Sequence, residues 1–164
     1  MGQTGDRQDG DKTVLPAEVH QLLDGGSLAE KQGEALILST VSEDGWPHTA
    51  MLSVGEVVAV SGSRLRIGLW PATATSSNMA RTGQALLVAV YQGRVSYIKL
   101  KVKPPLPALQ ESDYPRDRYE AEVVQVKQDA AKYAEIVSGI QIALHDPVEV
   151  ISRWEATVAD LFKD

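Results

Sequence analysis

Apolar residues recur every three or four positions in LPAEVHQLLDGG, where Leu15, Val19, Leu22 and Leu23 share one helical face before the stop at Gly25-Gly26. The spacing predicts a short amphipathic helix. The pattern then changes. ALILSTV (Ala35–Val41) is a compact apolar run rich in β-formers, and Asp44-Gly45 after it signals a turn. HTAMLSVGEVVAVSG reads as one long or bent strand with Gly55 as a candidate bulge. RLRIGLW alternates with period two, which sets Leu65, Ile67 and Leu69 against Arg64, Arg66 and Gly68.

After that strand, TATSSNMARTG (73–83) crowds four hydroxyls into its first five positions, runs through a short helical stretch and stops at a glycine. QALLVAVYQG and RVSYIKLKVK predict a hairpin turning at Gln92-Gly93, and the prolines of KPPLPALQESDYPRD predict a loop. YEAEVVQVKQD predicts a further strand. DAAKYAEIVSG favours helix, while IQIAL fits either strand or helix. The last segment is a clear helix, with Asp146 at the N-cap, Pro147 at the first position and Glu149 where a capping-box carboxylate belongs. Its expected apolar stripe is Val148, Ile151, Trp154, Val158, Leu161 and Phe162. Strands outnumber helices and the connections are hairpin-like, so the expectation is a mainly β fold with peripheral helices: antiparallel strands in a small barrel or closed sheet.

Composition narrows the chemistry. The chain has 164 residues, enough for one domain with a sizeable core. Residues 1–12 are rich in Gly, Asp and Gln and are expected to form a disordered tail, with a single domain over 13–164. With no cysteine, the chain has no disulfide, thiolate metal site or cysteine nucleophile, which fits a reducing cytoplasm. A net charge of -6 argues against nucleic acid, and no apolar run has the length of a membrane span. The chain lacks Walker, Gly-x-Ser-x-Gly and Gly-x-Gly-x-x-Gly motifs and any histidine spacing that suggests a metal. Glu120 and Glu122 are expected on a wet strand face. Lys99, Lys101 and Lys103 of KLKVK are expected on one face of a solvated strand edge.

The hydroxyl-rich turn is the strongest candidate site. A strand running into a helix start presents unpaired N–H groups and a positive dipole end, to which Thr73, Thr75, Ser76, Ser77 and Asn78 would add donors for a phosphate or carboxylate. The simpler reading is that Thr75 or Ser76 caps the helix. His48, at the head of the second strand, is the one titratable candidate beside a cleft.

Taken in order over roughly residues 36–102, the segments TVSEDGWPHTAML, LRIGLW and SSNMARTGQALLVAV resemble the FMN-binding split-barrel family, the pyridoxamine 5'-phosphate oxidase-like proteins. The resemblance implies a six-stranded antiparallel split β-barrel that forms a homodimer, with one FMN in each of two clefts between subunits. It implies flavin contacts from His48, Thr49, Ala50, Met51, Leu52 and Ser53, with Leu69 and Trp70 beside the ring. The phosphate would sit on Thr73, Thr75, Ser76 and Asn78. It also implies a flavin-dependent oxidoreductase acting on an unknown small molecule, with no catalytic residue named. The alternative is a non-catalytic flavin or phosphate-ligand carrier or sensor on the same barrel. Pyridoxamine phosphate oxidases carry Ser-Arg-Lys in the turn, and the spacing to Met79 puts Ala74 and Thr75 at the two basic positions. Their basic residues in the second strand are likewise missing at His48 and Ser53, and their C-terminal substrate signature has no clear counterpart after Asp129. Phosphate affinity is then expected from N–H and hydroxyl donors, or from a cation elsewhere such as Lys99, Arg81 or a residue of a partner chain.

Overall fold

The structure, a computed structural model, describes residues 12–164. The expected N-terminal tail therefore lies outside the described residues, apart from Lys12, whose carbonyl accepts from the Val126 N–H at 2.7 Å. Among the described residues three helices, α1 (Ala17–Leu22), α2 (Ala74–Thr82) and α3 (Pro147–Leu161), accompany seven strands. In chain order the strands are β1 (Ala35–Val41), β2 (Pro47–Ser53), β3 (Val57–Ala59), β4 (Arg64–Leu69), β5 (Gln84–Tyr91), β6 (Arg94–Val102) and β7 (Asp117–Asp129). They form one sheet in the order β2-β1-β5-β6-β7-β4-β3, with every named pairing antiparallel.

The curl of the sheet follows from one connection. β2 and β3 are the two edges, yet only residues 54–56 separate them in sequence. The link from Ser53 to Val57 reaches no more than roughly 14 Å, so the sheet must roll until its edges nearly meet. The result is a barrel with a split between β2 and β3. Leu36, Leu38, Leu65, Ile67, Leu87 and Ile98 fill its interior, all essentially inaccessible to solvent.

That connection also corrects the sequence reading of one long strand. The chain breaks between β2 and β3, which raises the strand count from the expected six to seven. Gly55 is a turn residue rather than a bulge: a Cβ there would lie 2.1 Å from Trp154 Cγ, so the glycine seats the α3 indole. The Glu56 carboxylate accepts from the Ser53 N–H at 2.6 Å and pins the turn. The one register shift lies between Lys99 and Leu100 of β6.

Most other elements form as the pattern predicts, including the hairpin at Gln92 and Gly93, both with positive φ. Segment 129–139 is an exception, because it is not helical. Tyr133 and Val137 are almost fully exposed there, so a helix would have no surface to pack on, and an isolated helix of this length is marginal in water. Residues 140–144 resolve to an extended segment with one bridge, Glu34 to Gln141. β6 lies between β5 and β7, so the KLKVK lysines lie on the face of a central strand rather than at an edge.

α3 starts as expected, with the Asp146 side chain accepting from the Glu149 N–H at 3.2 Å. Glu149 itself pairs with Arg153 at 3.7 Å, and Val148 points into solvent, whereas Trp154, Val158 and Leu161 are buried. The C-terminus of α3 lacks a glycine cap, and two arginines serve instead. Arg66 donates to the Leu161 carbonyl at 3.1 Å and to that of Lys163, while Arg118 donates to those of Asp160 (3.1 Å) and Lys163 (2.8 Å). Glu120 contradicts the expected wet face. It is buried, 2.9 Å from Lys103 and 3.5 Å from both Arg64 and Arg66.

Candidate functional site

The hydroxyl-rich turn folds into α2 because its first residue caps it. Thr73 has extended backbone angles and its side chain accepts from the Ser76 N–H at 3.2 Å, while Gly83 ends the helix at φ 65°. The cap is thus Thr73, not the Thr75 or Ser76 of the simpler sequence reading. Ala72, at φ 62°, turns the chain from β4 into this cap. The Ala74 and Thr75 N–H groups, in the first turn, have no intrahelical acceptor.

Thr75, Ser76 and Asn78 are all buried, and the last two are tied into the barrel. Ser76 Oγ donates to Asp117 Oδ2 at 2.6 Å and lies 2.7 Å from Tyr119 Oη, and Tyr119 donates to the Ser76 carbonyl at 3.0 Å. Burial pushes the Tyr119 phenol above its ordinary value; the Ser76 bond opposes this and the Asp117 charge adds to it. Asn78 Nδ2 donates to Thr40 Oγ1 at 3.1 Å, and Arg81 donates to Asn78 Oδ1 at 3.1 Å and to the Val41 carbonyl. These bonds fasten α2 to the end of β1. Thr40 and Val41 there pair with His48 and Pro47 of β2.

The structure therefore brings His48 to the α2 end of the barrel. It does not bring the whole β2 segment there, because Leu52 and Ser53 lie at the opposite end, in a groove shared with Glu56 and Trp154. Thr49 and Met51 are exposed, His48 and Ala50 are half-buried, and Leu52 and Ser53 are buried. Because β2 is a sheet edge, its outer N–H and C=O groups have no strand partner among the described residues. Leu69 is buried opposite Asp117, and Trp70 stacks under the Arg116 guanidinium at 3.3 Å.

Sequence reasoning missed Arg116, Asp117 and Tyr119. The first two fell in the expected loop, since β7 begins two residues before the apolar run that marked it. The alternation of Asp117 and Tyr119 was the available signal, because positions two apart share a strand face. Removing the Ser76 hydroxyl takes one hydrogen bond from the half-buried Asp117 carboxylate and one from the buried Tyr119 hydroxyl, which keeps only the Ser76 carbonyl. Ser76→Ala is expected to cost about 1–3 kcal/mol, more than the ~1 kcal/mol expected of Thr73→Ala, which loses only a cap. Urea unfolding of the two variants measures the difference.

The donor set fits an anion only in part. The first-turn N–H groups and the Thr73 hydroxyl proton remain to donate, but Ser76 is committed to Asp117, whose carboxylate already occupies one approach to the helix start. Among the described residues no group of three or more His, Asp or Glu is placed to hold a metal, and no helix is long and apolar enough to cross a membrane.

No protein-family model matches the chain. It is 52% identical over 141 residues to the uncharacterised protein YclD of Bacillus subtilis strain 168, covering 86% of this chain and 91% of that protein. The chain belongs to the YclD family. Its fold recurs in the crystal structure of a candidate pyridoxamine 5'-phosphate oxidase from Lactobacillus delbrueckii, at a TM-score of 0.52 and 14% identity over 71% of this chain and 93% of that one. HupZ of Group A Streptococcus also matches at 0.52, with 10% identity over 69% and 98%. The split barrel implied by the sequence resemblance is thus the fold of this YclD relative.

Proposed function

We propose that the protein is a homodimer that binds FMN in the clefts between its subunits and acts as a flavin-dependent oxidoreductase on a small molecule. The observation that carries this reading is the uncovered outer face of the sheet. α3 packs on the β3 and β4 side, but no helix among the described residues covers the rung on which Met51, Ile37, Val88 and Tyr97 lie side by side across β2, β1, β5 and β6. Met51 is 54% exposed and the other three are half-buried. Such an apolar rung suits a second copy, and its outermost strand is β2, whose backbone edge is open.

In this arrangement the β2 backbone from His48 towards Met51 orients the flavin ring, with Leu69 and Trp70 at its margin, while Leu52 and Ser53 stay out of reach at the other end of the strand. The Ala74 and Thr75 N–H groups and the Thr73 hydroxyl take the phosphate. Ser76 and Asn78 act through the helix, holding it at the angle that presents those donors. The flavin supplies the hydride and electron chemistry when bound; the protein's part is to orient it and exclude water. A cytoplasmic location, expected from the sequence, belongs to the same proposal.

One observation favours the carrier reading instead. Asp117 and Tyr119, titratable groups beside the α2 start, are both bonded to Ser76 rather than turned outward. Oxygen-free stopped-flow mixing of the FMN-loaded protein with NADH or NADPH separates the two. Bleaching of the flavin band with turnover on an added acceptor is the result expected of the oxidoreductase, and a carrier shows none.

A further inference from the structure

The lysines of the outer face have a second feature that the flavin reading does not use. Tyr97 and Lys99 of β6 lie opposite Lys127 and Gln125 of β7, all on the outer face. With Leu86 and Asp129 they line an open groove of about 510 Å³. The two lysines are diagonal neighbours across this rung, so their Cβ atoms are roughly 7–8 Å apart and both ammonium groups can converge on one small anion. The chain carries a net charge of -6, and Lys31, Lys103 and Lys163 each have a carboxylate within 3 Å. Lys99 and Lys127 have none within 4 Å among the described residues, although Asp129 lines one end of the groove. Tyr97 and Leu86 give the groove an aromatic and an aliphatic surface next to the two cations.

We propose that this groove is an anion subsite for a planar ligand: Lys99 and Lys127 hold its phosphate or carboxylate while its ring lies against Tyr97 and Leu86. The groove shares Tyr97 with the end of the apolar rung assigned to the partner copy, so a ligand there would border the same cleft. Its charge answers a deficit noted above, because the α2 turn has neutral residues where pyridoxamine phosphate oxidases have two cations. Two sources could supply the anion, the phosphate of a flavin or an acidic second ligand. The groove belongs to a single chain, and only the choice between these sources rests on the flavin reading.

The test is an amide-resolved NMR titration of the full chain with phenyl phosphate and, separately, phenol, in wild type and in the Lys99→Gln/Lys127→Gln double variant. Phenyl phosphate is expected to shift the amides around Tyr97, Lys99, Gln125 and Lys127, to bind more tightly than phenol, and to lose at least about tenfold in affinity in the double variant. A parallel FMN and riboflavin titration identifies the source. Loss of the preference for FMN in the double variant assigns the subsite to the flavin's own phosphate. A preserved preference, with phenyl phosphate affinity lost, assigns it to a second ligand. The proposal is overturned if phenyl phosphate leaves these amides unmoved, or if the double variant binds it as wild type does. If wild type binds phenyl phosphate in the groove but not FMN, the flavin reading fails while the subsite stands.

Discussion

Arg66→Ala is expected to destabilise the protein by about 3–5 kcal/mol, the cost of removing one partner from a buried charge cluster. Arg66 is 9% exposed and serves three groups at once. It caps carbonyls at the end of α3, faces Glu120 at 3.5 Å and reaches Asp164 at 3.1 Å. Without it Glu120 keeps Lys103 and Arg64, both about half exposed, but loses its buried counter-charge. The terminal carbonyls of α3 would keep only Arg118. The hydrogen bond from Lys103 is the largest influence holding the Glu120 carboxyl below its ordinary value, and Arg66 adds to it against burial. That stabilisation is present above the unfolded-state value and is lost as pH falls through the lower folded one. The variant should therefore also lose less stability on acidification. Urea unfolding at neutral and acid pH checks both parts, and a cost under about 1 kcal/mol at neutral pH would show the cluster to be a surface feature.

Val88→Glu is expected to separate the two copies of the proposed dimer without unfolding either. Val88 sits mid-rung between Ile37 and Tyr97, half-buried and facing outward, so a carboxylate there stays hydrated in the single chain. Across a two-fold interface the same change places a charge in apolar surroundings on both subunits, where it has no partner. Light scattering should report a dimer for the parent and a monomer for the variant, with nearly unchanged thermal unfolding of the isolated chain. Flavin affinity should fall on the order of 100-fold, because one wall of the cleft leaves with the partner. A variant that stays dimeric would show that the copies meet elsewhere.

What the sequence made legible follows what is local. β1, α2, the β5–β6 hairpin and the start of α3 were readable because an apolar period, a glycine stop or a capping residue marks each one. The break at Gly55 was not, because the reason for that glycine lies 99 positions away in Trp154. Segment 129–139 misled for the opposite reason: its residues favour helix, yet the fold leaves most of them in solvent, Tyr133 and Val137 almost fully. At the site, the hydroxyls of residues 73–77 stood out, while Asp117 and Tyr119 did not, since their link to Ser76 spans 41 and 43 positions. The structure thus changes the roles within the turn. Thr73 caps, Ser76 is committed inward, and the donors left for a ligand are mainly backbone.

The most direct measurement of the central claim is a fluorescence titration of FMN and of riboflavin against the purified full-length protein, with stoichiometry and mass followed together. The account predicts saturable quenching at one FMN per chain on a dimer, with FMN bound more tightly than riboflavin. Unquenched fluorescence at excess FMN, with the protein folded and dimeric, would contradict it.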